Sequence, residues 1–350
     1  MNCKCKHLDD IFCGKDEFVL FFYDQRVIKE AKEKIQNLGF EVASEDDAIR
    51  IKLQEAKKDV CAICEGCGWS DAEQEGIMSL LRDSKEPLTL SQMKAVKTLS
   101  QICAVCKSSE IADIIRKKAF TSYFQPIVDL QTSMIYGYEA LLRGVKDDGS
   151  IIPPGSIIDI ARRGDMLFYL DRAARETALR TAAEKKIDKK VFINFIPTVI
   201  YNPNYCLLDT IRWAKQLEFD PKNIVFEVVE TEKVLDTEHL KGILEFYKIH
   251  GFMVALDDIG SGYSSLGLLS SIRPDIIKID REIITNIDKD PLKQSIFKAL
   301  INVANDHGIM VLAEGVETLP EAEWVQESDA HLAQGYFWGK PTAEPIRALG

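Results

Sequence analysis

The sequence predicts an α/β protein, a closed (β/α)8 barrel over residues 116–350 preceded by a small cysteine-rich α/β domain over residues 1–115. Three observations carry this. From Tyr123 onward, short apolar runs alternate strictly with helix-length amphipathic segments, a rhythm that implies a parallel sheet with covering helices. About eight such runs fall within roughly 230 residues, which suits a closed barrel better than an open sheet. Finally, eight of the nine cysteines precede position 107 and only Cys206 follows, so the composition changes near Ile111 to Lys118.

In the front domain, Phe18 to Tyr23 reads as a buried strand, followed by an amphipathic helix from Val27 to Leu38 that closes at Gly39. Residues 88–118 are expected to be largely helical. In the barrel the expected strands are Val191–Asn194, Val225–Glu230, Met253–Asp258, Asp275–Asp280, Met310–Gly315 and Ala333–Tyr336, with helices following Asn204 and Thr237.

An apolar fraction of 46% and a charged fraction of 28% are those of a folded protein. Lys and Arg number 44 against 55 Asp and Glu, a formal net charge of −11. That balance argues against DNA or an anionic membrane as partner, since both need a positive surface. No apolar run approaches the roughly 18–20 residues that span a bilayer. The opening Met1–His7 lacks the apolar stretch of a secretory signal, so membrane insertion is not expected and a cytoplasmic location is.

Polar residues stand where the apolar strands end: Asn194, Glu227 and Glu230, the pair Asp257-Asp258, Lys278 and Asp280, Glu314, and Gln334. Taken singly, each has an ordinary use as a helix cap, a backbone hydrogen-bonder or a salt-bridge member. Taken together, six consecutive strand ends of this kind are expected to meet at one mouth of the barrel, where such barrels carry their chemistry. Charges buried near one axis must be paired or must coordinate cations. Glu, Asp and Asn oxygens suit magnesium or manganese rather than zinc. Adjacent carboxylates can hold two such ions for in-line displacement at phosphorus, with Glu314 as a base for the attacking water.

These residues also resemble a known family. Tyr138-Glu139-Ala140-Leu141-Leu142-Arg143 carries the Glu-Ala-Leu signature of the EAL family of cyclic di-GMP phosphodiesterases. Phe124 to Val128, Asn194, Glu227 to Glu230, Asp257 to Ser265, Lys278 to Asp280, Ala313 to Glu317 and Gln334 to Tyr336 follow in the family's order over residues 120–342. The resemblance implies a modified, TIM-like barrel in which Tyr123–Leu130 and Ile135–Arg143 form an antiparallel first strand pair. It further implies two Mg2+ or Mn2+ ions, hydrolysis of cyclic di-GMP to linear pGpG, and a homodimer formed through the barrel.

Carried over by position, Glu139, Asn194, Glu227 and Asp257 resemble metal ligands, with Asp258 and Glu314 on the second ion. Glu314 and Lys278 resemble the base and the holder of the hydrolytic water, and Arg143, Gln125 and Gln334 the substrate contacts. Glu230, with Asp280 and Glu317, resembles the support of the glycine-rich loop after Asp258. Val229 and Ile259 stand where the family has Thr and Phe. Two rivals are a cyclic di-GMP receptor that has lost turnover, and a Schiff-base aldolase using Lys278.

Cys61-x-x-Cys64-x-x-Cys67 and Cys103-x-x-Cys106 have the spacing of zinc knuckles. A structural Zn2+ on Cys64, Cys67, Cys103 and Cys106 is expected, with Cys3, Cys5, Cys13 and Cys61 as a second possible set; an iron–sulfur or redox role and unligated thiols are the alternatives. A disulfide framework is not expected in a reducing compartment. The front domain is expected to regulate the barrel or to recruit a protein partner.

Overall fold

The computed structural model describes residues 11–45, 47–87, 89, 95–163, 166–228, 237–260 and 265–349. The chain divides into two compact units, one of Met1–Lys117 with Gly155–Leu167 and one of Lys118–Pro154 with Phe168–Gly350.

The first unit holds a five-stranded antiparallel sheet in the order β2-β3-β1-β4-β5, from β1 (Glu17–Phe21), β2 (Val42–Glu45), β3 (Ala48–Lys52), β4 (Met78–Arg82) and β5 (Lys97–Thr98). β1 is the central strand and lies where the apolar run at Phe18 predicts it, with Phe18 and Leu20 wholly buried. The helix Gln25–Asn37 follows it and buries Ile35. The helix Ala56–Gly66 packs against the helix Leu99–Lys117. Val60, Ile63, Leu99 and Ile102 join Trp69 and the sheet in one core.

The second unit is a closed barrel. Its strands are β6 (Phe120–Asp129), β7 (Met134–Val145), β9 (Lys190–Phe195), β10 (Ile224–Val228), β11 (Met253–Ile259), β12 (Ile276–Ile279), β13 (Met310–Ala313) and β14 (Leu332–Gln334), and the short β8 (Ile151–Ile152) extends β7 at one side. β6 runs antiparallel to both of its neighbours, β7 and β14, and β8 is antiparallel to β7, while the remaining pairs are parallel. The first hairpin is thus as expected. Among the described residues, no helix is long and apolar enough to cross a membrane.

One inward layer closes the barrel. Ile127, Phe192, Val225, Ala255, Ile276, Leu312 and Leu332 pack together, all nearly or wholly buried. Each stands two residues from a polar strand-end residue, so the two-residue period of a strand puts both on the inner face, one layer apart. The eighth position of this layer is Gly137. A Cβ there would lie 2.7 Å from Lys190 O and 3.1 Å from the Phe192 ring, so the absent side chain makes room for that ring.

The cysteines correct the sequence expectation. Cys61 is bonded to Cys106 and Cys64 to Cys103, two disulfides joining the same two helices. Cys67, expected beside Cys64, takes part in neither bond: it caps the helix, donating its N–H to Ile63 O, and is a buried free thiol. Cys61, assigned to a second set, belongs to the cluster in its place. Cys13 is a free, exposed thiol, and Cys206 is free and buried. Cys3 and Cys5 lie outside the described residues.

Candidate active site

All eight barrel strands send a polar residue to one mouth. Glu139 on β7 is set in register with Gln125 on β6, and Asn194 on β9 with Glu227 on β10. Asn194 Nδ2 and Gln334 Nε2 each donate to the Glu139 carboxylate at 2.8 Å, one to each oxygen. These two bonds tie β9 and β14, strands far apart in the chain, to one acid on β7. Gln125 Nε2 donates to Gly339 O at 3.3 Å.

The centre is Lys278 on β12, 1% exposed. Its Nζ lies 2.9 Å from Glu227, 3.1 Å from Asp257 and 2.7 Å from Glu314. Burial by itself would favour the neutral amine, but Asp257, Glu227, Glu314 and Glu139 outweigh it and hold the ammonium well above the usual lysine range. Glu227 is raised well above the carboxylate range, first by burial, then by Glu139 and Asp257, against the pull of Lys278. Glu314 is raised in the same way, by burial and then by Asp257 and Glu139. Three carboxylates around the amine favour the ammonium form, which is a poor nucleophile toward a carbonyl, and this counts against the Schiff-base reading.

Two adjacent aspartates on a regular strand would point to opposite faces. β11 avoids this with a bulge: Leu256 pairs with Ile277 and Ile259 with Ile279, so Asp257 and Asp258 together oppose the single residue Lys278. Asp258 takes a left-handed backbone, φ 56°, a conformation that Asp tolerates better than most residues. Its N–H donates to Asp257 Oδ1 at 2.9 Å. As a result, oxygens of Asp257, Asp258 and Glu314 lie within 4.8 Å of one another.

Further along β7, half-buried Arg143 lies over the Tyr123 ring, 5.0 Å from its centroid, and donates to Leu142 O. Asp280 caps the helix Arg281–Ile284 by accepting the Glu282 N–H, and its own N–H holds Ile259 O at the end of the bulge. Glu317 is set apart: its carboxylate reaches toward Arg281 at 3.8 Å while its N–H donates to Glu321. Glu230 and Val229, with the loop residues 261–264, lie outside the described residues.

Two supports carry no role predicted from the sequence, Asp171 outside every motif and Gly335 within the Gln334–Tyr336 segment. Asp171, on the helix Leu167–Glu184, pairs with fully buried Arg175 through Nε at 3.0 Å and NH2 at 2.7 Å, and accepts the Ile196 N–H two residues past Asn194. An Asp and an Arg four apart on an otherwise apolar helix face is the signal that points to such a pair. At Gly335 a Cβ would lie 1.9 Å from Val316 O, so only glycine allows the backbone contact that holds Gln334 O to the Val316 N–H.

With this geometry the family question has an answer. The EAL domain family matches residues 108–341. The chain belongs to that family. Among curated EAL relatives it is 28% identical over 243 residues to the Escherichia coli protein named "Probable cyclic di-GMP phosphodiesterase PdeG", covering 67% of this chain and 48% of that one. It is 29% identical to the E. coli "Blue light- and temperature-regulated antirepressor BluF", covering 65% and 55%. This chain therefore spans about half the length of these relatives. Among solved structures, a standalone EAL protein of Vibrio cholerae with cyclic di-GMP bound shares 39% identity at a TM-score of 0.60, covering 66% of this chain and 95% of that one. The EAL domain of Xanthomonas citri FimX, at 21% identity and a TM-score of 0.63 over 70% of this chain and 97% of that one, agrees in fold.

Proposed function

We propose that the barrel hydrolyses cyclic di-GMP to linear pGpG with the help of two hard divalent cations, magnesium or manganese. The observation that carries this reading is the ring of oxygen donors around Lys278, within which Glu227 is wholly buried and, among the described residues, its Oε2 accepts no hydrogen bond. A buried carboxylate oxygen without a donor is costly unless a cation serves it. The donor set of carboxylates and one amide, with no imidazole or thiolate, fits a hard ion.

Glu139, Asn194, Glu227 and Asp257 would hold one ion, and Asp258 and Glu314 the second, with Asp257 between them. When bound, the ions supply charge neutralisation at the phosphodiester and ease deprotonation of the attacking water. Glu314 takes a proton from that water, while Lys278, held among Glu227, Asp257 and Glu314, orients the resulting hydroxide. The oxygen attacks phosphorus, the bond from phosphorus to the ribose 3′-oxygen breaks, and the leaving oxygen takes a proton from solvent while Glu314 returns its own to solvent. Arg143, steadied over Tyr123, contacts the phosphate with its forked donors, and Gln125 and Gln334 complete the pocket. A homodimer through the barrel, a cytoplasmic location and control by the front unit belong to the same reading.

A second reading is a cyclic di-GMP receptor without turnover; one relative, the antirepressor, is named for a regulatory role and not for an enzymatic one. The test is incubation of the full chain with Mn2+ and cyclic di-GMP, with chromatography of the products. Formation of pGpG, lost in Glu139→Ala and Asp257→Ala proteins of unchanged circular dichroism, is the expected result. Binding without product would establish the receptor instead.

A further inference from the structure

Away from the barrel, the first unit brings four sulfurs together. Cys61 and Cys64 stand three apart on the helix Ala56–Gly66, and Cys103 and Cys106 three apart on the helix Leu99–Lys117. That spacing puts both sulfurs of each helix on one face. The pairs Cys61–Cys106 and Cys64–Cys103 mark antiparallel helices, with a Cα separation of 5.3 Å in each. Cys64, Cys103 and Cys106 are buried in the core of the unit. Cys61 is partly exposed and lines a surface groove with Phe12, Cys13, Glu55 and Lys58.

Stability alone does not account for both disulfides. A cross-link acts on the unfolded chain according to the loop it closes. The two bonds span 45 and 39 residues, and either one, once formed, closes nearly the same loop as the other. The second then restricts only a ring of a few residues on each side, for which the entropic gain is small. Two pairs of sulfurs facing each other from rigid helices, largely screened from water, do meet the needs of a closed tetrahedral thiolate site.

We propose that Cys61, Cys64, Cys103 and Cys106 in their reduced form bind one thiophilic divalent cation of the zinc class, and that the two disulfides are the oxidised, metal-free form of this site. Reduction takes two electrons and two protons per disulfide from a dithiol, which itself becomes a disulfide. The thiolate of that dithiol attacks Cys61, the sulfur that the groove exposes. Binding of the cation then releases four thiol protons, leaving four thiolates around a double positive charge. An oxidant of the peroxide class reverses the sequence: two equivalents of peroxide take four electrons from the sulfurs and four protons from water and are reduced to the hydroxylic products, both S–S bonds re-form and the cation is freed. This assignment concerns the first unit alone and stands apart from the reaction of the barrel.

The test uses the full chain, reduced with a dithiol, freed of metal and titrated anaerobically with Co2+. The expected result is sulfur-to-cobalt charge-transfer absorption and tetrahedral d–d bands, saturating at one ion per chain and erased by Zn2+. The oxidised chain should show neither. Oxygen ligands in the barrel give no sulfur charge transfer, so the two sites are read separately. Cys103→Ser should lose the bands and Cys67→Ser keep them. Should Cys103→Ser fail to fold by circular dichroism, Cys61→Ser, at the exposed edge, carries the same expectation. A reduced chain without these bands, or bands that depend on Cys67 and survive Cys61→Ser, would overturn the proposal.

Discussion

Single groups in this protein owe their protonation to what surrounds them. In the cation-free mouth, burial lifts Glu227 and Glu314, so protons compete there with a divalent ion. Raising the pH removes the competitor. Mn2+ binding by the full chain should therefore tighten as pH rises above the ordinary carboxylate range, with proton release, as followed by calorimetry in buffers of different ionisation enthalpy. Weakening with rising pH would contradict it. Cys67 gives a second case: burial pushes its thiol up to about 11, against a small opposing effect of Lys34. The folded state holds this proton more tightly than the unfolded chain, whose thiols ionise near about 8.5. Its contribution to stability is whole below that pH and is lost as pH rises toward the folded value. Alkylation at about pH 8 should accordingly label exposed Cys13 and spare Cys67, as peptide mass spectrometry can read.

Strands and helices set the aim of these groups. β11 turns two neighbouring carboxylates toward one mouth through its bulge, and the Asp171–Arg175 pair fixes the chain just beyond Asn194. Asp171→Asn leaves Arg175 charged, buried and without its carboxylate, which should cost about 3–5 kcal/mol in denaturant unfolding. The two glycines next to the site rank by what a methyl would strike. Gly137→Ala meets a carbonyl and an aromatic ring, an overpacking of about 1–3 kcal/mol. Gly335→Ala meets three backbone atoms of Val316, the nearest at 1.9 Å, and should lower Tm more and displace Gln334 from Glu139. Equal Tm values for the two variants would contradict the close approach at Gly335.

The whole chain is an anion of formal charge −11 whose mouth is lined with carboxylates, and the proposed substrate is an anion as well. Without divalent ions the two repel, and monovalent salt weakens that repulsion within a Debye length of about 8–10 Å. In the presence of a chelator, binding of cyclic di-GMP should thus strengthen as salt rises from low to moderate ionic strength. With Mn2+ present the dependence should flatten or reverse. Isothermal titration at two salt concentrations separates the cases, and a decline with salt under chelation would mean that positive groups dominate the mouth.

Much of this could be read from the order of residues. The alternation of apolar runs and amphipathic segments located the barrel strands because a strand buried on both sides has no other composition available to it. Polar residues at the ends of those runs marked Asn194, Glu227, Asp257, Lys278, Glu314 and Gln334, since hydrophobic patterning leaves no local reason for a polar group there, whereas Glu139 was legible only through the Glu-Ala-Leu signature. Spacing could not reveal which cysteines meet, because that depends on the direction and register in which two distant helices pack; the register selected Cys61, within its helix, over Cys67 at the helix cap. Nor could it reveal the bulge at Asp257-Asp258 or the backbone contact at Gly335, for register and close approach are set by neighbours far away in the chain. Local sequence determined which elements form and which chemistry they carry. Only tertiary packing decided which side chains share a face, because that is a property of pairs of elements and of no segment alone.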